Sequence, residues 1–99
     1  ELWDELRASS PGAAIVTEGR LVVAGSLADR SRLADAVELL ERGWSLPRRP
    51  SEHHLRRAYV LADLYEQSGL TSRARHLFHW IDRNSPGFGD VPERLKALV

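Results

Sequence analysis

The sequence predicts an all-α fold in which antiparallel helix pairs stack on one another, and three observations lead there. Residues 55–86, LRRAYVLADLYEQSGLTSRARHLFHWIDRNSP, read as two amphipathic helices about a turn at Gly69. The first carries Ala58, Leu61, Ala62 and Tyr65 on one face, the second Ala74, Leu77, Phe78 and Ile81, the rhythm of helices with one buried stripe. An earlier stretch repeats the pattern: Val23-Ala24 align with Leu61-Ala62, Leu27 with Tyr65, Ala36 with Ala74 and Leu40 with Phe78. Finally, the 99 residues suffice for one small domain, and their 42% apolar and 28% charged content is ordinary for a globular chain.

Each element follows from its residues. Glu1–Ala8 read as a short helix with Leu2, Trp3 and Leu6 expected inward and a break expected at Ser9-Ser10-Pro11-Gly12. Pro11 suits the first turn of the next helix, where its missing N–H costs nothing. From Ala13 to about Asp29 the inward positions are Ile15, Val16, Val23, Ala24 and Leu27. Leu21-Val22-Val23 has strand propensity, but the length and the flanking helical repeats favour helix. Leu33–Trp44 reads as a further helix with Leu33, Ala36, Val37, Leu39 and Leu40 expected inward.

The linker Ser45-Leu46-Pro47-Arg48-Arg49-Pro50 stops propagation. Ser51 then caps a helix that ends at Gly69, and Thr71 or Ser72 opens the next. After Asn84-Ser85-Pro86-Gly87, the spacing Asp90-x-x-Glu93 predicts a capping box and a last helix carrying Val91, Leu95, Leu98 and Val99. Close helix crossings are expected at Ala24, Ala36, Ala62 and Ala74, with Leu27, Leu40, Tyr65 and Phe78 filling the space beside them. The end helices are expected to cover apolar ends, because two stacked units are few.

The spacing Ala58-x2-Leu61-Ala62-x2-Tyr65, then Gly69, Ala74-x3-Phe78 and Pro86 resembles the tetratricopeptide repeat (TPR). The usual Trp of the first position is Ala58 and the usual Gly of the third is Ala62. An earlier unit resembles a degenerate repeat, with Ser31 in place of the turn glycine and Pro47 one place early. The resemblance implies a TPR-like right-handed stack of antiparallel helix pairs, an α-α superhelix. The divisions expected are an N-terminal helix over 1–10, a degenerate repeat over 12–46, a second repeat over 51–87 and a C-terminal capping helix over 89–99.

In that family the first helix of each repeat lines a groove that takes a peptide or partner protein. The positions that resemble groove-lining sites are Arg56, Tyr59, Asp63, Glu66 and Gln67 in the second unit, and Glu18, Leu21, Gly25 and Ala28 in the first. Tyr59 offers a rigid contact at low entropy cost. Leu21 and Gly25 stand where the chaperone-binding subclass carries a carboxylate clamp, which argues against a C-terminal carboxylate ligand. Trp80, turned away from the Ile81 stripe toward His76, is expected on the convex side, against the last helix or in a contact with a partner or second copy. Trp44 is expected in the core against the following helix.

Other chemistries find little support. The histidines His53, His54, His76 and His79 lack the Cys or HExxH spacing of a zinc site, so neither metal nor cofactor is expected. No nucleophile elbow or phosphate loop marks an enzyme. The basic stretch from Arg48 to Arg57 could grip phosphate, but the net charge is zero and Glu52 is spaced to pair with Arg56. Cysteine is absent and no run spans a bilayer, which fits a cytoplasmic protein; the lack of a first Met suggests a fragment of a longer one. Arginine carries nearly all the positive charge, Lys96 being the single lysine, and with the many alanines this suggests a GC-rich, bacterial coding background. The expected function is a non-enzymatic interaction module; an accessory or docking domain of a larger enzyme or regulator is the alternative.

Overall fold

A computed structural model of the protein describes residues 11–98, and among these the chain forms five helices and no strand. They are α1 (Pro11–Asp29), α2 (Leu33–Glu41), α3 (Glu52–Gln67), α4 (Thr71–Asn84) and α5 (Val91–Ala97). The helix expected over residues 1–10, and Val99, lie outside the described residues. The valine-rich part of α1 is helical without a break. α1 packs on α2 and α3, α3 also on α2 and α4, and α4 on α5. No described helix is long and apolar enough to cross a membrane.

The two helix pairs share one turn. The Leu27 carbonyl accepts from the Arg32 N–H at 2.8 Å, as the Tyr65 carbonyl accepts from the Leu70 N–H at 2.8 Å. Between them, the Ser31 N–H donates to the Ala28 carbonyl and the Gly69 N–H to the Glu66 carbonyl, each at 3.0 Å. Both central residues are left-handed, with φ of 62° at Ser31 and 79° at Gly69. Glycine takes this conformation freely, while serine carries a Cβ there at a cost of about 1 kcal/mol. The repeat read from the side chains is therefore also a repeat of backbone hydrogen bonds.

The core agrees with the small-and-large pattern. Ala24, Ala36, Ala62 and Ala74 are wholly buried, as are Leu40 and Phe78. Tyr65 is nearly so, and its hydroxyl donates to Glu41 Oε2 at 2.5 Å; Leu27 is half-buried. Burial and that carboxylate push the Tyr65 phenol up to about 12.

Four expectations are corrected. In α1, Ile15, Val16 and Val23 face outward; Ala24 is buried as expected, and Thr17 joins it in the described core. Trp80 is buried, only 6% exposed, with its ring edge-on to Trp44 at 5.9 Å. α4 buries a wide arc, because the chain after α2 folds over it as well as α3 and α5. The helix from Leu33 ends at Glu41, and Gly43 turns with a φ of 69°. Asp90 makes no side-chain cap with Glu93; it accepts from Tyr59 instead.

At α3 the cap stands where Ser51 was expected, with His54 as the returning partner: the Ser51 N–H donates to His54 Nδ1 at 2.9 Å. An accepting Nδ1 carries no proton. Burial lowers the His54 pKa, and the charges of His53 and Arg57 lower it further.

A candidate interaction face across α1, α3 and α5

Residues one repeat apart meet on this face. Glu18 of α1 and Arg56 of α3, placed in different units, form an ion pair across the two helices. Arg56 thus turns to Glu18 and not to Glu52. Around the pair a shallow cavity of about 330 Å³ is lined by Ala14, Ser51, Glu52 and His53 as well. Leu21 is half-buried against the core, and Gly25 is exposed beside it, with open space for at least 4 Å around the place a Cβ would take.

The rest of the expected groove is already engaged. Arg94 of α5 places Nη2 at 2.7 Å from Asp63 Oδ1 and 2.6 Å from Glu66 Oε1. Its Nη1 donates to the Tyr59 hydroxyl at 3.3 Å, and that hydroxyl in turn donates to Asp90. The guanidinium also lies over the Phe78 ring at 5.0 Å, a favourable placement for a cation. Burial opposes its charge, but the hydrogen bonds to Glu66 and Asp63 outweigh burial and hold its pKa above the ordinary arginine value. Burial, then the bond to Asp90, raises the Tyr59 pKa. Gln67 donates to Asp63 at 2.7 Å and is exposed.

The expected groove residues Tyr59, Asp63 and Glu66 are therefore half-buried partners of the last helix, not free side chains. Arg94 stands one repeat beyond Arg56, as Arg56 stands one repeat beyond Glu18. Each arginine reaches back to the first helix of the preceding unit. The result is one polar face stitched across α1, α3 and α5.

The basic stretch is divided by the fold. Arg48 and Arg49 are exposed, but Arg57 is 9% exposed and belongs to the interior. Its Nε and Nη2 donate to the Leu40 carbonyl at 3.0 and 2.8 Å, and Nη2 to the Arg42 carbonyl at 2.6 Å. It also lies over Trp44 at 5.3 Å. These carbonyls close the end of α2, where the helix dipole favours a cation. Burial pulls the Arg57 pKa below its usual value.

Sequence reasoning missed one open apolar site. Trp44, Leu46, Tyr65 and Leu77, rimmed by Arg73 and His76, enclose about 370 Å³. The signal was Trp44-x-Leu46 in a short proline-rich loop. Of the two residues expected on the convex side, His76 lies at this rim, and Trp80 lies against Trp44. Among the described residues, no group of three or more His, Asp or Glu is placed to hold a metal ion.

No family model, curated protein or solved structure matches the chain.

Proposed function

We propose that the protein is a non-enzymatic interaction module built of TPR-like repeats, and that it binds a peptide or partner protein across α1, α3 and α5. The observation that carries this reading is the meeting of Glu18 and Arg56 on one face with the network of Arg94, Tyr59, Asp63 and Glu66. Side chains held by one another lose little entropy when a ligand arrives, and half-exposed charges can still offer their free lone pairs and N–H groups. The cavity beside Glu18 and Arg56 gives such a ligand a place to start.

The alternative of docking onto another domain would call on the exposed apolar side of α1, where Ile15, Val16, Val22 and Val23 stand out. Nucleic acid is disfavoured, because Arg57 is buried and Arg56 is paired.

The test uses Gly25, which is exposed, lies beside Glu18 and Leu21 on the helix surface, and has open space at its Cβ. Gly25→Arg should block the face while leaving the melt intact, since arginine is a better helix former than glycine. Peptides are selected from a random display library against the wild-type chain and measured by calorimetry. Selected peptides should lose at least tenfold in affinity for Gly25→Arg. Peptides that bind both proteins equally would place binding elsewhere and refute the proposal.

A further inference from the structure

The apolar hollow beside the loop after α2 shares no lining residue with the cavity at Glu18 and Arg56. It joins Tyr65 of α3 and Leu77 of α4, both buried, to Trp44 and Leu46 of the loop. Leu46 is 46% exposed, a large apolar side chain left in water beside other apolar groups. A volume of about 370 Å³ lies at the small end of ligand sites and admits one large aromatic or branched side chain.

The lining is already held in place. Trp44 stands edge-on to Trp80 at 5.9 Å and beneath the Arg57 guanidinium at 5.3 Å. The Tyr65 hydroxyl donates to Glu41 Oε2 at 2.5 Å. Little of this surface has to be ordered when a partner arrives.

The polar groups of the lining decide what that partner carries. They are Ser72, Arg73 and His76, all exposed on α4, with no carboxylate among them. The Arg73 side chain is 65% exposed, and its Nη1 lies 4.0 Å from Glu41 Oε2, too far for a hydrogen bond. Its guanidinium lies over the Tyr65 ring at 6.0 Å, so the one full charge of the lining is positive and stands beside the apolar groups. Trp, Tyr and Arg are the residues that most often carry binding energy at protein interfaces, and all three line this hollow.

We propose that the hollow is a second docking site, which takes an acidic segment of a partner protein. A large apolar side chain of that segment packs against Trp44, Leu46 and Leu77, and a neighbouring Asp or Glu carboxylate accepts from Arg73. This site is separate from the face across α1, α3 and α5, and either binds without the other.

The probes are end-blocked pentapeptides with Phe or Leu at the centre and Asp, Ser or Lys on both sides. They are titrated into the full chain and followed by the Trp44 indole N–H resonance. Asp-flanked peptides should shift that resonance and bind roughly fivefold tighter than Ser-flanked ones, with Lys-flanked ones weakest. This order is read on the unmodified chain, so it does not depend on how any variant folds. Leu46→Asp should abolish binding, and Arg73→Glu should reverse the order so that Lys-flanked peptides bind best; both positions are exposed. Gly25→Arg, on the other face, should change nothing. An unmoved Trp44 resonance, equal binding of Asp- and Lys-flanked peptides, or binding kept in Leu46→Asp but lost in Gly25→Arg overturns the proposal.

Discussion

Removing Arg94 tests whether the last helix is held by the network that occupies the expected groove. Its side chain is 21% exposed, and those of Asp63 and Glu66 are 35% and 36% exposed, so solvent screens the charges in part. A fully exposed pair would contribute about 0.2–1 kcal/mol, and a hydrogen bond to a charged group in a buried setting about 1.5–3. Two such bonds with partial exposure, plus the stacking on Phe78, give about 2 kcal/mol for Arg94→Ala. The cycle of Arg94→Ala with Glu66→Ala, by urea unfolding, should return a coupling of about 1 kcal/mol that shrinks in 1 M salt. Amide exchange should quicken in α5 and hold in α3. A loss under about 0.5 kcal/mol with no coupling would refute the reasoning, and would mean that Val91 and Leu95 alone seat α5.

Two further perturbations probe the frame around the face. Arg57→Ala leaves the Leu40 carbonyl without its buried partner and should cost about 3 kcal/mol, with Arg57→Lys recovering only part because an ammonium cannot span both carbonyls; equal stability of Lys and Arg by urea titration would count against the fork. His54 has a lowered pKa in the fold, so the unfolded chain binds the extra proton first. Its contribution, about 1 kcal/mol as part of a cap, is complete above pH 6.5 and is lost as pH falls from there toward the lowered folded value. The stability gap between wild type and His54→Ala should therefore narrow from pH 8 to pH 5, and a gap that stays constant would contradict the accepting Nδ1.

Positions set by one helix packing on one neighbour were legible in the sequence. The four alanines, Leu40 and Phe78 obey a single 3.6-residue stripe, and all are wholly buried. Ser31 was legible for a different reason: alignment with Gly69 placed it at the turn, where its φ is 62°. Trp80 and Val23 were misplaced because a helix with two neighbours has two buried arcs, and periodicity alone gives no sign of which arc a neighbour covers. Trp80 turns inward because Trp44 arrives from a loop. Val23 turns outward, among the described residues, because the arc it lies on is not the one facing α2.

The candidate face was legible in its positions and not in its partners, and long charged side chains are the reason. Composition treats arginines as solvated, yet Arg56, Arg57 and Arg94 each join two helices. The repeat does separate them in retrospect. Positions 18, 56 and 94 recur on the first helix of each unit as Glu, Arg and Arg, so each later one can reach a carboxylate on the first helix of the preceding unit. Position 57 has Gly19 as its counterpart one repeat earlier and Leu95 one repeat later, so nothing in the pattern marks it for a polar role. Its partners are the backbone carbonyls of Leu40 and Arg42, which become available only where α2 stops. A charge that answers a helix end is therefore invisible to side-chain patterning, whereas a charge that answers another charge at repeat spacing can be found by aligning the units.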